Sequence, residues 1–181
     1  MSKTQAKDAI ASLVAKFRDN LADYKRINYN ETLTRIDFIN PFFEALGWDI
    51  TNRQGLSAAF REVIHEDTLE IEGRKKAPDY SFRLPNGRVE RKFFLEAKKP
   101  SVNLAEGVTP AYQVRRYGWS ANLPLSALTD FEEFAVYDCR VRPYPQDKPS
   151  VARLTYFTYQ EYADRFDELY DLFSKEAVQV V

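Results

Sequence analysis

Two strand-like runs, Pro78 to Leu84 and Arg88 to Lys98, flank Pro85-Asn86-Gly87 near the middle of the chain. Asn-Gly readily adopts the positive φ angles of a tight reverse turn, so this stretch is expected to form an antiparallel β-hairpin. A two-residue Asn86-Gly87 loop sets Asp79 opposite Phe94, with Glu96 as its diagonal neighbour roughly 7–8 Å away. Side chains alternate along a strand. Phe94, Glu96 and Lys98 therefore share one face, and Phe93, Leu95 and Ala97 share the other, where they can enter a core. Asp79, Glu96 and Lys98 converge at the open end of the hairpin.

The flanking sequence places this hairpin in a mixed α/β layer structure. Ile10, Leu13, Val14, Phe17, Leu21 and Tyr24 recur at helical spacing. A second helix starts at the N-cap Asn30 and carries Leu33, Ile36, Ile39, Phe42, Phe43 and Leu46 to Gly47-Trp48, with Pro41 expected to kink or divide it. Glu62 to Ile71 reads as one strand. Thr109 and Pro110 read as the N-cap and first position of a helix through Gln113 and Tyr117. Leu125 to Leu128 and Phe131 to Tyr137 are strands across Thr129-Asp130, and Arg153 to Tyr159 is a further strand. Tyr162, Phe166, Leu169 and Phe173 mark a closing helix. The expected order is α-α-β-β-β-α-β-β-β-α, in a single domain over residues 1–181. An N-terminal helix falls within 1–28 and a C-terminal helix within 160–178.

Composition narrows the chemistry. One cysteine (Cys139) and one histidine (His65) cannot supply a Cys/His zinc site, and they make a Ser-His-Asp mechanism a poor fit. Cys139 is expected as a buried small apolar residue and His65 as a satisfied, partly buried imidazole; Trp48 and Trp119 are expected in the core. The lone cysteine fits a reducing cytoplasm, and no apolar run reaches the ~18 residues of a membrane span. Carboxylates, lysines and arginines remain, the residue types that handle hard cations and phosphates. The formal net charge is −1. Locally, Arg83 to Arg116 holds eight cations against three acids, a candidate phosphate-facing patch.

Two carboxylates at hairpin spacing can share a divalent cation, and a neighbouring lysine can polarise water, which is the layout of metal-assisted phosphodiester hydrolysis. The acid-x-Lys tripeptide alone says little, because Asp23/Lys25 and Glu90/Lys92 also match it. Only Glu96/Lys98 lies across the hairpin from a Pro-Asp pair.

Pro78-Asp79, followed by Leu95-Glu96-Ala97-Lys98-Lys99-Pro100, resembles the PD-(D/E)XK nuclease motif of the restriction-endonuclease-like fold. Gln113-x-x-x-Tyr117 is similar to the Q-x-x-x-Y motif of RecB-like nucleases. Glu31 and the Pro-Phe-Phe-Glu-Ala-Leu-Gly-Trp stretch resemble the N-terminal endonuclease domains of type IIG restriction-modification enzymes and type I restriction motor subunits. The resemblance implies a central mixed β-sheet flanked by helices and a cytoplasmic, prokaryotic Mg²⁺-dependent DNA endonuclease, with Mn²⁺ able to substitute. Asp79, Glu96 and Lys98 become the catalytic residues. Asp79, Glu96 and the Ala97 carbonyl hold the metal, and Glu31 completes the site or holds its water. Gln113 and Tyr117 brace the site and bind DNA near the scissile phosphate, and Arg115, Arg116 and Lys99 meet the backbone of double-stranded DNA. A methyltransferase and a target-recognition region are the expected neighbours in a parent chain, and a dimer is one route to double-strand cleavage. A non-cleaving DNA-binding or assembly module and a repair-type nuclease stay open as readings of the same fold.

Overall fold

The computed structural model describes residues 1–85 and 88–180. The expected Asn86-Gly87 turn lies outside the described residues. The helices are α1 (Lys3–Asp19), α2 (Leu21–Tyr24), α3 (Glu31–Thr34), α4 (Asn40–Ala45), α5 (Val108–Ser120), α6 (Phe166–Phe173) and α7 (Lys175–Val180). The strands are β1 (Val63–His65), β2 (Leu69–Ile71), β3 (Arg74–Lys76), β4 (Tyr80–Pro85), β5 (Val89–Ala97), β6 (Leu125–Thr129), β7 (Glu133–Asp138) and β8 (Arg153–Thr158). Six of the strands form one mixed sheet in the order β1-β4-β5-β6-β7-β8, and β2 and β3 form a separate hairpin. Every neighbouring pair in the sheet is antiparallel except β5 and β6, whose parallel pairing requires the crossover that α5 provides.

Both faces of the sheet are covered, so its strands are apolar on both sides. On one face Phe93, Leu95 and Ala97 of β5 pack with Phe38, Phe43, Trp48 and Phe173 from the N-terminal and C-terminal helices. On the other, Leu128, Ala135 and Tyr137 pack against Ala111 and Val114 of α5. Phe94 lies with Tyr117, Leu123, Leu69 and Ile71, which fastens the β2–β3 hairpin beside α5. Helix α5 approaches the sheet at Gly118, where any Cβ would lie 2.3 Å from Cys139 Sγ. Cys139 is buried as expected, and Trp48 is a core residue whose Nε1 donates to the Phe173 carbonyl at 2.7 Å. Trp119 is not a core anchor: it is 41% exposed on the outer side of α5.

Several local expectations change for identifiable reasons. Proline at 41 has no N–H to donate back into the helix, and a π-turn at Arg35–Ile39 absorbs the defect between α3 and α4. The wider turn rephases the helix. Its buried face becomes Thr34, Phe38 and Phe42, leaving Leu33 and Ile36, expected inside, exposed. Glu62 to Ile71 is not one strand, because Glu66 takes a positive φ of 57° and separates β1 from β2. Helix α5 begins two residues earlier than expected, with Gly107 at the N-cap, so Pro110 falls within its first turn.

The hairpin register also differs. Pro85 pairs with Val89 and Arg83 with Arg91, but a bulge between Phe82 and Arg83 shifts the pairing so that Phe82 meets Phe93 and Tyr80 meets Leu95. Continued one residue beyond β4, this register brings Asp79 level with Glu96, where a diagonal relation was expected.

Candidate active site

Asp79 precedes β4 and Glu96 is the penultimate residue of β5. The Asp79 N–H donates to Glu96 Oε1 at 2.9 Å, and the Ala97 N–H donates to Asp79 Oδ2 at 2.8 Å. Each carboxylate is thus pinned through one oxygen by the backbone of the other strand. Glu96 is only 3% exposed and Asp79 is partly covered, so neither acid stands in open solvent. Glu96 lies on the sheet face that α5 covers, which places it within electrostatic reach of Tyr117.

Three acids influence one another here. Burial, then repulsion from Asp79, raises the Glu96 pKa. Burial raises Asp79 against the Ala97 N–H and the positive charges of Arg35 and Lys98. Glu31, in the first turn of α3, is raised by burial and by Asp79, with Lys98 and Arg35 opposing. Lys98, at the end of β5, therefore acts on all three carboxyls; its N–H is held by the Thr129 carbonyl at 3.0 Å. Among the described residues, no group of three His, Cys, Asp or Glu side chains closes into metal-holding geometry. Glu31 therefore joins the cluster electrostatically, without completing a three-acid cage.

A polar network behind Asp79 escaped the sequence reading. Arg35 Nη1 lies 4.0 Å from Asp79 Oδ1, and Arg35 Nη2 reaches the Asp79 carbonyl at 3.5 Å. Arg35 Nε donates to the Tyr80 hydroxyl at 3.1 Å, and the guanidinium stacks over the Tyr80 ring at 4.5 Å. Tyr80 in turn donates to Asn40 Oδ1. His65 Nδ1 is 3.1 Å from Arg35 Nη2, and its Nε2 is 3.0 Å from the Ile50 carbonyl. Arginine only donates, so Nδ1 accepts and the proton sits on Nε2. His65 is satisfied as expected, but it is exposed where partial burial was expected. Arg35 and Asn40, His65, and Tyr80 come from three separate segments, so no local spacing in the sequence marks this network.

Of the bracing and DNA-facing residues, Gln113 and Tyr117 share a face of α5, and Gln113 Nε2 donates to the Tyr117 hydroxyl at 3.1 Å. Lys99 reaches the Ile27 carbonyl at 3.2 Å. Arg116 is half-buried and pairs with Glu72 at 2.7 Å. Arg115 must be corrected. It is 1% exposed, pairs with Asp147 at 2.8 Å and donates to the Arg142 carbonyl at 3.2 Å, so it secures a loop from inside the protein and cannot meet a phosphate. The basic stretch also fails to form one patch. Arg83 is bonded to the Arg61 and Ala58 carbonyls and Arg91 to Asp67, at the opposite end of β5 from Lys98.

The chain is 42% identical over 174 residues to the type II restriction enzyme and methyltransferase RM.Eco57I of Escherichia coli, a match covering 95% of this chain. The chain is a homologue of part of a restriction enzyme. It spans 17% of that relative's length. No family model matches it. Among solved structures it is similar to a DrdV–DNA complex, with a TM-score of 0.49 and 14% identity over 91% of this chain and 14% of that one. It is also similar to the type IIG restriction endonuclease BpuSI, with a TM-score of 0.47 and 15% identity over 81% of this chain and 17% of that one.

Proposed function

We propose that this chain is the DNA-cleaving module of a restriction-modification protein, a metal-dependent endonuclease acting on phosphodiester bonds. The observation that carries the reading is the Asp79–Glu96 clasp with Lys98 beside it, in a homologue of a restriction enzyme. The donor set fits a hard divalent cation. Asp79 and Glu96 each commit one oxygen to a backbone N–H and keep the other, and carboxylate and carbonyl oxygens are the ligands that Mg²⁺ and Mn²⁺ prefer. Asp79, Glu96 and the Ala97 carbonyl would hold it. When bound, such an ion lowers the pKa of an attacking water and offsets charge developing on the phosphate.

The remaining roles belong to the side chains. Lys98 orients the water and offsets negative charge next to the acids. Glu31 accepts a hydrogen bond from that water. Gln113 and Tyr117 brace the covered side of Glu96, and Arg35 fixes the orientation of Asp79. Lys99 and Arg116 contact the DNA backbone without reading sequence. Because the relative's name joins a restriction enzyme to a methyltransferase, a methyltransferase elsewhere in a longer parent chain is part of the same proposal. Among the described residues no helix is long and apolar enough to cross a membrane.

The test is incubation of the chain with supercoiled plasmid in Mg²⁺ or EDTA. Metal-dependent nicking is expected. DNA binding without nicking in Mg²⁺ would turn the reading to a non-cleaving module of the same fold.

A further inference from the structure

We propose that the β2–β3 hairpin is a DNA-backbone arm that lays the cleaved strand along the acidic site, an inference that rests on the nuclease reading above. Its second strand is Arg74-Lys75-Lys76, and all three residues are exposed. Among the described residues none of the three forms an ion pair or a side-chain hydrogen bond. The cations of the stretch from Arg83 to Arg91, in contrast, are bonded to carbonyls or paired with Asp67 or Glu90.

The arm is held in place. Leu69 and Ile71 on its first strand are buried against Phe94, Tyr117 and Leu123, and Glu72 at its turn is held by Arg116. Glu72 and Gly73 take the positive φ angles of 52° and 75° that a tight turn needs. The pairs Leu69–Lys76 and Ile71–Arg74 are in register, so the apolar strand fastens the basic one.

The arm also points at the site. Lys76 lines a cleft of about 230 Å³ with Gln113, Arg116 and Tyr117, and Tyr117 is close enough to Glu96 for that acid to raise its pKa. Along the chain Lys76 precedes Asp79 by three residues, a reach of about 10 Å at most. Each strand of a duplex carries a phosphate every ~3.4 Å of helix axis. A phosphate at the acids therefore leaves its neighbours, within about three steps, in range of Lys76 and then of Arg74, which share one face of the strand, while Lys75 lies on the other face in register with Glu70. Arg74 and Lys76, unpaired on one face, supply the charge complementarity to a polyanion, with Lys75 adding to the local positive charge from the other face.

The experiment measures binding of a short duplex by anisotropy across a salt series, in EDTA so that nothing is cut. The intact chain is compared with Arg74→Gln/Lys75→Gln/Lys76→Gln and with a control, Lys7→Gln/Lys148→Gln, that removes exposed charge elsewhere. Each lost phosphate contact flattens the plot of log affinity against log salt by about 0.9. The arm variant is expected to flatten it by about 2, keep its melting temperature and cut plasmid more slowly, while the control leaves the slope unchanged. Equal slopes for the arm variant and the intact chain would overturn the proposal and leave the arm to an acidic protein surface. Absence of DNA binding by the intact chain would overturn the nuclease reading with it.

Discussion

Asp79 and Glu96 are clasped across the hairpin: the Asp79 N–H donates to Glu96 Oε1 at 2.9 Å, and the Asp79 side chain accepts the N–H of Ala97 at 2.8 Å. Under the proposed function, binding of a metal and retention of the fold use the same two side chains. Removing either carboxylate leaves a buried backbone N–H without its acceptor, at about 1–3 kcal/mol. Asp79→Asn and Glu96→Gln keep a carbonyl oxygen for that N–H and lose only the charge. The amide variants should melt near the parent and lose Mn²⁺ binding in titration calorimetry. The alanine variants should lose both metal binding and stability. Undiminished metal affinity in both amide variants would remove these residues from the metal site.

Lys98 sits at the end of β5 with its backbone anchored to Thr129. Loss of a positioned charge of this kind costs about 10²–10³ in rate. Lys98→Ala should bind DNA as the parent does and cut it slower by that factor under single-turnover conditions. Weakened DNA binding that fully accounts for the slower rate would recast Lys98 as a phosphate contact.

Burial and the facing Asp79 push the Glu96 pKa up to about 8, from an ordinary 4.5. Between those values the unfolded chain has released the proton and the native chain holds it. The native state then binds more protons, and stability falls as pH rises. Asp79 and Glu31 shift in the same direction. Metal-free protein should melt at lower temperature at pH 8 than at pH 5. Glu96→Gln should reduce that decline, by about 2–4 °C per kcal/mol recovered in a chain of this size. Mg²⁺ should raise the melting temperature more at pH 8, where the ion has fewer protons to displace. Thermal melts across pH, with and without Mg²⁺, check all three; melting that is independent of pH in the parent would contradict the account.

Arg115 is buried and bonded to Asp147 and the Arg142 carbonyl. Arg115→Ala should lower the melting temperature by several degrees and leave the DNA affinity of the folded protein unchanged. Arg116→Ala should release Glu72 and weaken DNA binding with little loss of stability. A reversed pattern in melts and anisotropy would restore Arg115 to the DNA surface.

The layered α/β architecture was legible because β4 and β5 read as strand-like runs on either side of an Asn-Gly turn and the helices carry helical spacing, signals written in consecutive residues. Asp79, Glu96 and Lys98 were legible for the same reason: hairpin pairing brings them together whatever the rest of the chain does. Their alignment was not. It depends on the length of the connection after Pro85 and on the bulge at Phe82/Arg83, and neither leaves a periodic mark. Arg115 was misread because its partner Asp147 comes from a distant loop, and Leu33 and Ile36 because the π-turn rephases their helix. The Arg35–Tyr80–Asn40–His65 network joins three separate segments, so no local spacing announces it. The β2–β3 hairpin was missed because positive φ at Glu66 divides what reads as one strand and positive φ at Glu72 turns the chain just past its end, at residues that seldom adopt it.

Central to the proposal is metal-dependent cutting at the Asp79–Glu96–Lys98 cluster of DNA held through its phosphates. The most direct measurement is single-turnover conversion of supercoiled plasmid by the 181-residue chain in Mg²⁺, Mn²⁺ and EDTA, beside Glu96→Gln. Binding by phosphate contacts alone lies at about 10⁻⁴–10⁻⁶ M and weakens steeply with salt. The account predicts slow nicking at scattered positions that needs the metal, fades with salt and disappears in Glu96→Gln. Equal nicking by Glu96→Gln, or a discrete fragment ladder from one short recognition sequence, would contradict it.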